Sequence, residues 1–457
     1  MTPHALTRRR FLGGAVALTA AGTDLCVLAA PASRRAEVVR ALYERADGTA
    51  TDTVWCRRAY LDLAGRIPTL EEAQTFAHDG SADKRTALVD RLLASEDFAD
   101  YWSMRLADLL RVKSEFPINL WPNAVYVYHR RIRESLVRDE SRLDFARALL
   151  TACGSNFRDP ETNFLRATAK RTAEGLSEVA SLTFLGEATT EFAPYFAGVR
   201  YKDTREWKEE IVWCETAEKT PADFAARLAG DLNDRFAAAE AQRVWQYLFC
   251  APPETGRRTA LASAFRACGF RLKPFVRQLV LSADYARGSV TGGFPVRRLD
   301  AEVLDDALHT LTGAPRDYQS IAPEPFTFLP PERKSVLIED GSISNAFLIL
   351  FGRPSRDSGL AAERHNEVTA KQRLYLFNSG KLFNQLGRLV GGKEFWQKGQ
   401  DGMMTELYWK ILSRPPSAAE LATIRAHAAR CPERERKRLP RDVAWCLLNT
   451  QEFLFRI

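Results

Sequence analysis

The sequence predicts a mainly α-helical protein built from two multi-helical domains, and three observations carry that expectation. Apolar residues recur at three- and four-residue steps through most of the 457 residues, the spacing that gathers side chains on one face of a helix. Strand-like alternation is scarce. One phrase that reads helix, corner, helix is written near both ends, as YLDLAGRIPTLEEA (60–73) and YWKILSRPPSAAEL (408–421). With 46% hydrophobic residues, the chain has ample apolar surface for the cores of a first domain over 33–220 and a second over 221–457.

The first element is a targeting segment over 1–32. LTRRRFLGGAVALTAAG sets a twin-arginine pair, Arg8–Arg9, before Phe11–Leu12 and a Gly/Ala-rich stretch, which resembles a Tat export signal of bacteria. The small residues APA at 30–32 offer a cleavage site before Ser33. The uncharged run from Phe11 to Thr23 falls well short of the roughly 20 residues of a spanning helix. Cys26 follows Asp24–Leu25, where a lipoprotein signal would want small residues. The expected product is an exported protein of the periplasm or cell envelope, with no transmembrane anchor after cleavage.

Helical periodicity follows. Over 85–112, Leu88, Leu92, Leu93, Phe98, Trp102, Leu106, Leu109 and Leu110 fall on one face. NLWPNAVYVYHR (119–130) reads as a helix whose Trp121, Tyr126 and Tyr128 either pack in the core or line a carbohydrate groove. A short helical stretch over about 203–240 is expected to join the two parts. In the second part, residues 314–347 are rich in Pro and carry Asp340–Gly341, which predicts an extended, partly paired excursion.

The repeated phrase has a physical reading. Thr69 precedes Glu72 by three residues, and Ser417 precedes Glu420 by three. That is the spacing of a capping box, in which the hydroxyl accepts from a free helix amide and the carboxylate returns to the cap amide. Pro68 and Pro416 close the earlier helix. Arg66 and Arg414 stand where they can bridge the corner's carbonyls. A second phrase follows each copy, LLASEDF (92–98) and LLNTQEF (447–453). VWQYLFCAPPETG (244–256) followed by LVLSADY (279–285) is a looser third version. Asp62 makes a poor catalytic candidate, because Lys410 occupies its place in the other copy.

Charge and cysteines narrow the functional classes. The net charge of +7 is modest for 65 basic and 58 acidic residues, and three of the arginines belong to the first 32 residues. Arg34–Arg35, Arg130–Arg131 and the 434–438 run are interspersed with acids and read as solvated helix faces, so no nucleic-acid partner is expected. Without Cys26, seven cysteines remain: Cys56, Cys153, Cys214, Cys250, Cys268, Cys431 and Cys446. None is spaced as CxxC or CxxCH, so no haem or other cofactor is predicted. Neighbours such as Trp, Phe and Leu suggest reduced core thiols, with one or two disulfides formed later left open.

At the level of ordered motifs the chain resembles a known pairing. RRAYLDLAGRIPTLEEAQTFAHD, DKRTALVDRLLASEDFADYW, NLWPNAVYVYHRRIRESL and SNFRDPETNFLRA are similar to the first of two planctomycete-type, cytochrome-C-associated families of unknown function (PSCyt, domain of unknown function fifteen forty-nine). RVWQYLF, PVRRLDAEVLDDAL, FGRPSRDSGLAAER, LYLFNSGKL, LYWKILSRPPSAAEL and AWCLLNTQEFLF are similar to the second (PSD, fifteen fifty-three). The resemblance runs from about residue 36 to the end. It implies no catalytic residues. The haem domain of larger relatives has no counterpart motif here.

The densest polar constellation lies in FGRPSRDSGLAAERHNEVTAKQRLYLFNSGKL (351–382). Arg353, Arg356, Asp357, Glu363, Arg364 and Asn378 are the candidate ligand-binding residues, with His365, Asn366 and Ser379 beside them. Arginine forks among carboxylates bind sulfate, phosphate or carboxylate, or else lock one another in a buried ion-pair network. Metal binding has one local candidate, Asp305–Asp306–His309, and no metal site is predicted. GxSxG and phosphate-loop motifs are missing. The expected function is a non-enzymatic binding or assembly module of the cell envelope, with an envelope protein as partner. The alternative is an enzyme or ligand-processing protein acting on acidic or sulfated glycans through the arginine cluster.

Overall fold

In the computed structural model, residues 43–204, 209–322 and 327–457 are described. The targeting segment, with Arg8 and Arg9, lies outside them. Among the described residues, twenty-three α-helices together with four short 3-10 turns account for 59%, far above the third or so of an average globular protein, and only short strands accompany them. The fold is mainly α.

Both expected capping boxes form. The helix Asp52–Leu63 ends at the corner and Leu70–His78 begins with Thr69 as its cap, the Thr69 hydroxyl accepting from the Glu72 amide. Near the other end, Gly399–Leu412 gives way to Ala418–Arg430, capped by Ser417 with Glu420. The sharp turn needs a left-handed residue, supplied by Gly65 (φ +61°) and Ser413 (φ +62°). At Gly65 a side chain would also run into the Tyr101 ring.

The corner arginines do more than bridge carbonyls. Arg66 meets Glu72 through both terminal nitrogens, at 2.7 and 2.8 Å, and its Nε donates to Asp97 at 2.7 Å. Arg414 meets Glu420 at 2.9 Å twice, and its Nε donates to Glu452 at 2.7 Å. Asp97 and Glu452 come from the second repeated phrase, so that phrase supplies the other half of the lock. Each guanidinium also lies over the aromatic ring six positions earlier, Tyr60 at 5.0 Å and Tyr408 at 5.4 Å.

The third copy keeps the plan with its charges rearranged. Cys250 takes the left-handed corner (φ +60°) between Asn233–Phe249 and Thr255–Ala267. No arginine follows it. Instead Arg257, at the position of Glu72 and Glu420, pairs with Asp284 of the second phrase and lies over Trp245 at 4.9 Å. In all three second phrases a hydroxyl caps the helix, Ser95, Ser282 or Thr450, and the aromatic three residues on is fully buried.

The copies pack on the first helix. Arg57 donates to the Ile411 carbonyl and the Ser413 hydroxyl, both at 3.0 Å, and Arg58 donates to the Tyr285 carbonyl at 2.6 Å. Asp62 accepts from the Tyr285 hydroxyl at 2.7 Å and from Arg456 at 3.0 Å. Arg456 lies on the terminal strand Phe455–Arg456, which pairs antiparallel with Arg297–Arg298. One hydrophobic core runs from Ala50 to Phe453, so the first and last described helices share it.

Several expectations need correction. The linker over about 203–240 is helical only in its second half: Val199–Thr204 and Glu209–Cys214 form an antiparallel hairpin, and Gly154–Ser155 adds a third strand beside 209–214. Tyr201, Ile211 and Val212 suit a half-buried pleat, and the hairpin is too short for its alternation to stand out. The stretch 85–112 divides at Ser95, which caps a new helix. Arg131 is not a solvated face residue; it is half-buried and paired with Glu140 and Glu161. Tyr128 is fully buried, which removes it from any carbohydrate groove. Core burial holds for Cys56 and Cys446, whereas Cys153 and Cys250 are exposed. Among its described residues the Pro-rich excursion is largely irregular and is paired through the bridge Gln319–Ser344, and Asp340 anchors it by accepting from the Ser114 amide at 3.0 Å.

Candidate ligand-binding cleft

The arginine cluster sits where the segment after residue 350 folds back on the helix Glu96–Leu109. Gly359 (φ +75°) allows this approach: a Cβ there would stand 2.6 Å from the Leu109 carbonyl. Arg298 holds the segment from behind, donating to the carbonyls of Phe351 at 2.6 Å and His365 at 2.7 Å. Arg364 bridges two elements, reaching Glu302 at 2.6 Å and Asp108 at 2.7 Å. Arg356 meets the other oxygen of Asp108 at 2.9 Å, and Arg353 approaches Glu302 at 3.4 Å. Asp300 receives Arg105, the Tyr101 hydroxyl at 3.1 Å and Asn366 at 3.0 Å.

Electrostatics fix the charge states here. Burial opposes ionisation of Asp300, but Arg105, Arg297 and Arg364 hold its carboxyl well below the usual range. Burial likewise opposes the charge on Arg364, and Asp108, Glu302 and Asp300 overcome it. Asp108 is lowered against its own burial by Arg364 and Arg356. Asp108, Asp300 and Arg364 are therefore held charged, and arginines outnumber the carboxylates around them.

In front of this network lies a cleft of about 730 Å³, the size of a site for a small organic ligand. Its floor is Arg105 and Asp108 of Glu96–Leu109, one side is Asn233–Phe249 with Arg243 and Tyr247, and the far side carries Arg297, Arg364 and Asn366. Arg235 and Arg258 stand at its edges. Six arginines line it against three carboxylates, Asp108, Glu187 and Glu363. The Nε atoms of Arg105, Arg297 and Arg364 and the Oδ1 of Asn366 have no hydrogen-bond partner among the described residues.

The six sequence-derived candidates divide. Arg364 and Glu363 line the cleft. Arg353 and Arg356 lie buried behind it, donating to the carbonyls of Ile343 and Glu339. Asp357 pairs with Lys113 at 2.6 Å, and Glu363 ties its own loop by accepting from the amides of Asp357 and Ser358. Asn378, at the end of the helix Ala370–Asn378, is exposed and does not line the cleft. Sequence reasoning missed Arg105, Arg243 and Arg297. A signal for Arg297 lies in PVRRLD (295–300), and nothing local marks Arg105 or Arg243 beyond helical periodicity. The Asp305–Asp306–His309 set is otherwise engaged: both carboxylates hold Arg316, and His309 turns to the Ala314 carbonyl at 2.6 Å.

A mainly helical protein with a cationic cleft between its halves is the class that fold and geometry define. Family models place it further: residues 39–204 match PSCyt2, described as a protein of unknown function (DUF1549), and residues 259–428 match PSD1, a protein of unknown function (DUF1553). The chain belongs to this ordered pair of families. Comparisons with curated proteins and with solved structures give no match.

Proposed function

We propose that the protein is an exported binding module of the cell envelope that holds an acidic ligand, of the class of sulfated or carboxylated glycan fragments, in the cleft where its two family regions meet. The observation that carries this reading is the lining itself: six arginines against three carboxylates around about 730 Å³. Arg105 and Asp108 come from the PSCyt2 region, Arg297 and Arg364 from the PSD1 region, and the helix Asn233–Phe249 stands between. Neither region alone encloses the space, which gives the pairing a physical purpose. Tyr247 lines the same space, its ring lying under the Arg105 guanidinium at 5.2 Å.

Binding is favoured over turnover because the carboxylates in the lining are already engaged. Asp108 is clamped by Arg356 and Arg364, Glu187 pairs with Arg235, and Glu363 caps its loop. None is left as a poised proton donor or acceptor. Export is supported by the Arg8–Arg9 signature, and no helix among the described residues is long and apolar enough to cross a membrane. The test is calorimetric titration of the full chain with a sulfated oligosaccharide and its desulfated counterpart. Saturable, salt-sensitive binding of the sulfated form alone is expected. Equal or no binding of the two overturns the proposal.

A further inference from the structure

Two of the cysteines meet at the edge of the small sheet. Gly154 pairs with Val212 and Ser155 with Ile211, so continuing the register sets Cys153 beside Trp213 and one residue from Cys214. Regular alternation would send the two cysteine side chains to opposite faces. Gly154, however, has φ +121°, which turns the chain out of the ladder just before Cys153. That turn is pinned by Asp159, which accepts from the Ser155 amide at 2.8 Å. The register and this turn make the Cys153 thiol a direct neighbour of the Cys214 thiol, close enough to raise it. Cys153 is exposed and Cys214 half-buried, so one thiol meets solvent while the other waits behind it. The exposed Cys250 turns to Arg456 instead, at 2.9 Å, and Cys431 to His427 at 3.3 Å.

We propose that Cys153 and Cys214 form a redox-closing dithiol, which becomes a disulfide when the folded protein meets a small disulfide oxidant. The link pins the hairpin 199–214 to the end of the helix Arg142–Thr151. The proposal is independent of the ligand-binding reading. The chemistry is thiol–disulfide exchange with a compound of the class of oxidised glutathione. Cys153 thiolate attacks one sulfur of the oxidant, whose S–S bond breaks, and one small thiol leaves. Cys214 thiolate then attacks the Cys153 sulfur of the mixed disulfide, the intrachain S–S bond forms, and the second small thiol leaves. Each cysteine sulfur gives up one electron, the oxidant takes up two, and the two thiol protons end on the released thiols. Burial first, and the neighbouring Cys153 next, raise the Cys214 thiol above its ordinary value. That assigns Cys214 the second, resolving step and makes closure faster at alkaline pH.

The closed loop spans roughly 60 residues, long enough for a substantial restriction of the unfolded chain. It includes the buried Arg166, which pairs with Glu210 of the hairpin. Closure therefore fastens contacts the fold already makes.

The experiment is oxidation of the folded full chain with oxidised glutathione, followed by alkylation of the remaining thiols and peptide mapping. Expected are one crosslinked peptide joining Cys153 to Cys214, an intact mass lower by two hydrogens, and a urea midpoint that rises and returns with dithiothreitol. In Cys214→Ser the glutathione adduct should persist on Cys153. Glutathione that stays on Cys153 of the unaltered protein, a first crosslink through another cysteine, or a full complement of free thiols overturns the proposal. Mapping of the unaltered chain decides the matter even if Cys214→Ser fails to fold.

Discussion

Arg414 and Glu452, 38 residues apart, are joined by two parallel hydrogen bonds of 2.7 and 2.9 Å in a site almost closed to solvent. Arg66 and Asp97 stand in the same relation near the other end, at 2.7 Å but about a quarter exposed. The repeat is therefore a three-part lock: a corner arginine, the capping glutamate after it, and an acid from the second phrase. Burial separates the strength of the two locks.

Arg414→Met should destabilise the protein by about 3–5 kcal/mol, because it strands Glu420 and Glu452 as buried unpaired carboxylates. Arg66→Met should cost about 1 kcal/mol, its partners being screened by water. Urea unfolding of the two variants checks the order, and equal losses would sink the lock as an explanation of stability.

The third copy lacks a side-chain cap, since Glu254 occupies the cap position without bonding to its helix. Glu254→Ser should stabilise by about 0.5–1 kcal/mol, whereas Thr69→Ala in the first copy should destabilise by about 1 kcal/mol. Thermal unfolding of the pair measures both, and a loss in the first variant would show that the copies are not equivalent at this position.

His129 is buried in the helix Pro122–Val137, and burial, then the charge on Arg356, lowers its pKa from 6.5 to about 3. A lowered histidine is neutral in the fold, so its contribution is full above about pH 6.5 and is lost as pH falls toward 3. The unfolded chain takes up the proton that the fold refuses. Stability should fall by about 1.4 kcal/mol per pH unit between roughly 6 and 4.5 from this group. Denaturant melts across that window should show a shallower slope in His129→Gln. Below about pH 4.5, Glu72 adds its own loss, since Arg66 and the Thr69 amide hold it down to about 2 against burial.

Arg258 stands exposed at the cleft edge and has no ion pair among the described residues. Arg258→Glu should leave stability unchanged and weaken a sulfated oligosaccharide about tenfold at low salt, the difference shrinking as salt is added. Calorimetry at two ionic strengths provides the check. An unchanged affinity would move the ligand away from this face.

Replacing Arg8 and Arg9 together by Lys should leave unprocessed precursor in the cytoplasm. Cell fractionation reads the outcome, and normal export of that variant would defeat the Tat assignment.

Local chemistry explains what was legible in the sequence. The capping boxes at Thr69 and Ser417 were readable because hydroxyl and carboxylate lie three residues apart on one turn, and the repeat was readable because its aromatic, corner and cap keep their spacing. The acids Asp97 and Glu452 were visible only as part of a recurring phrase; their pairing with Arg66 and Arg414 is a tertiary fact. The hairpin 199–214 was missed because two six-residue strands bury only a few side chains. The candidate cluster was half legible. Arg353, Arg356 and Arg364 are close in sequence, yet only Arg364 faces the cleft, while Arg105 and Arg297 arrive from nearly 200 residues apart to meet at Asp300. No linear spacing encodes that meeting.

The measurement that bears most directly on the central reading is native mass spectrometry of the protein purified from its own envelope. The account predicts a small acidic ligand that stays with the chain and is released by salt, and whose loss follows Arg258→Glu. A bare chain that travels with a protein partner, its cleft free of any retained anion, would contradict it and make this an assembly module.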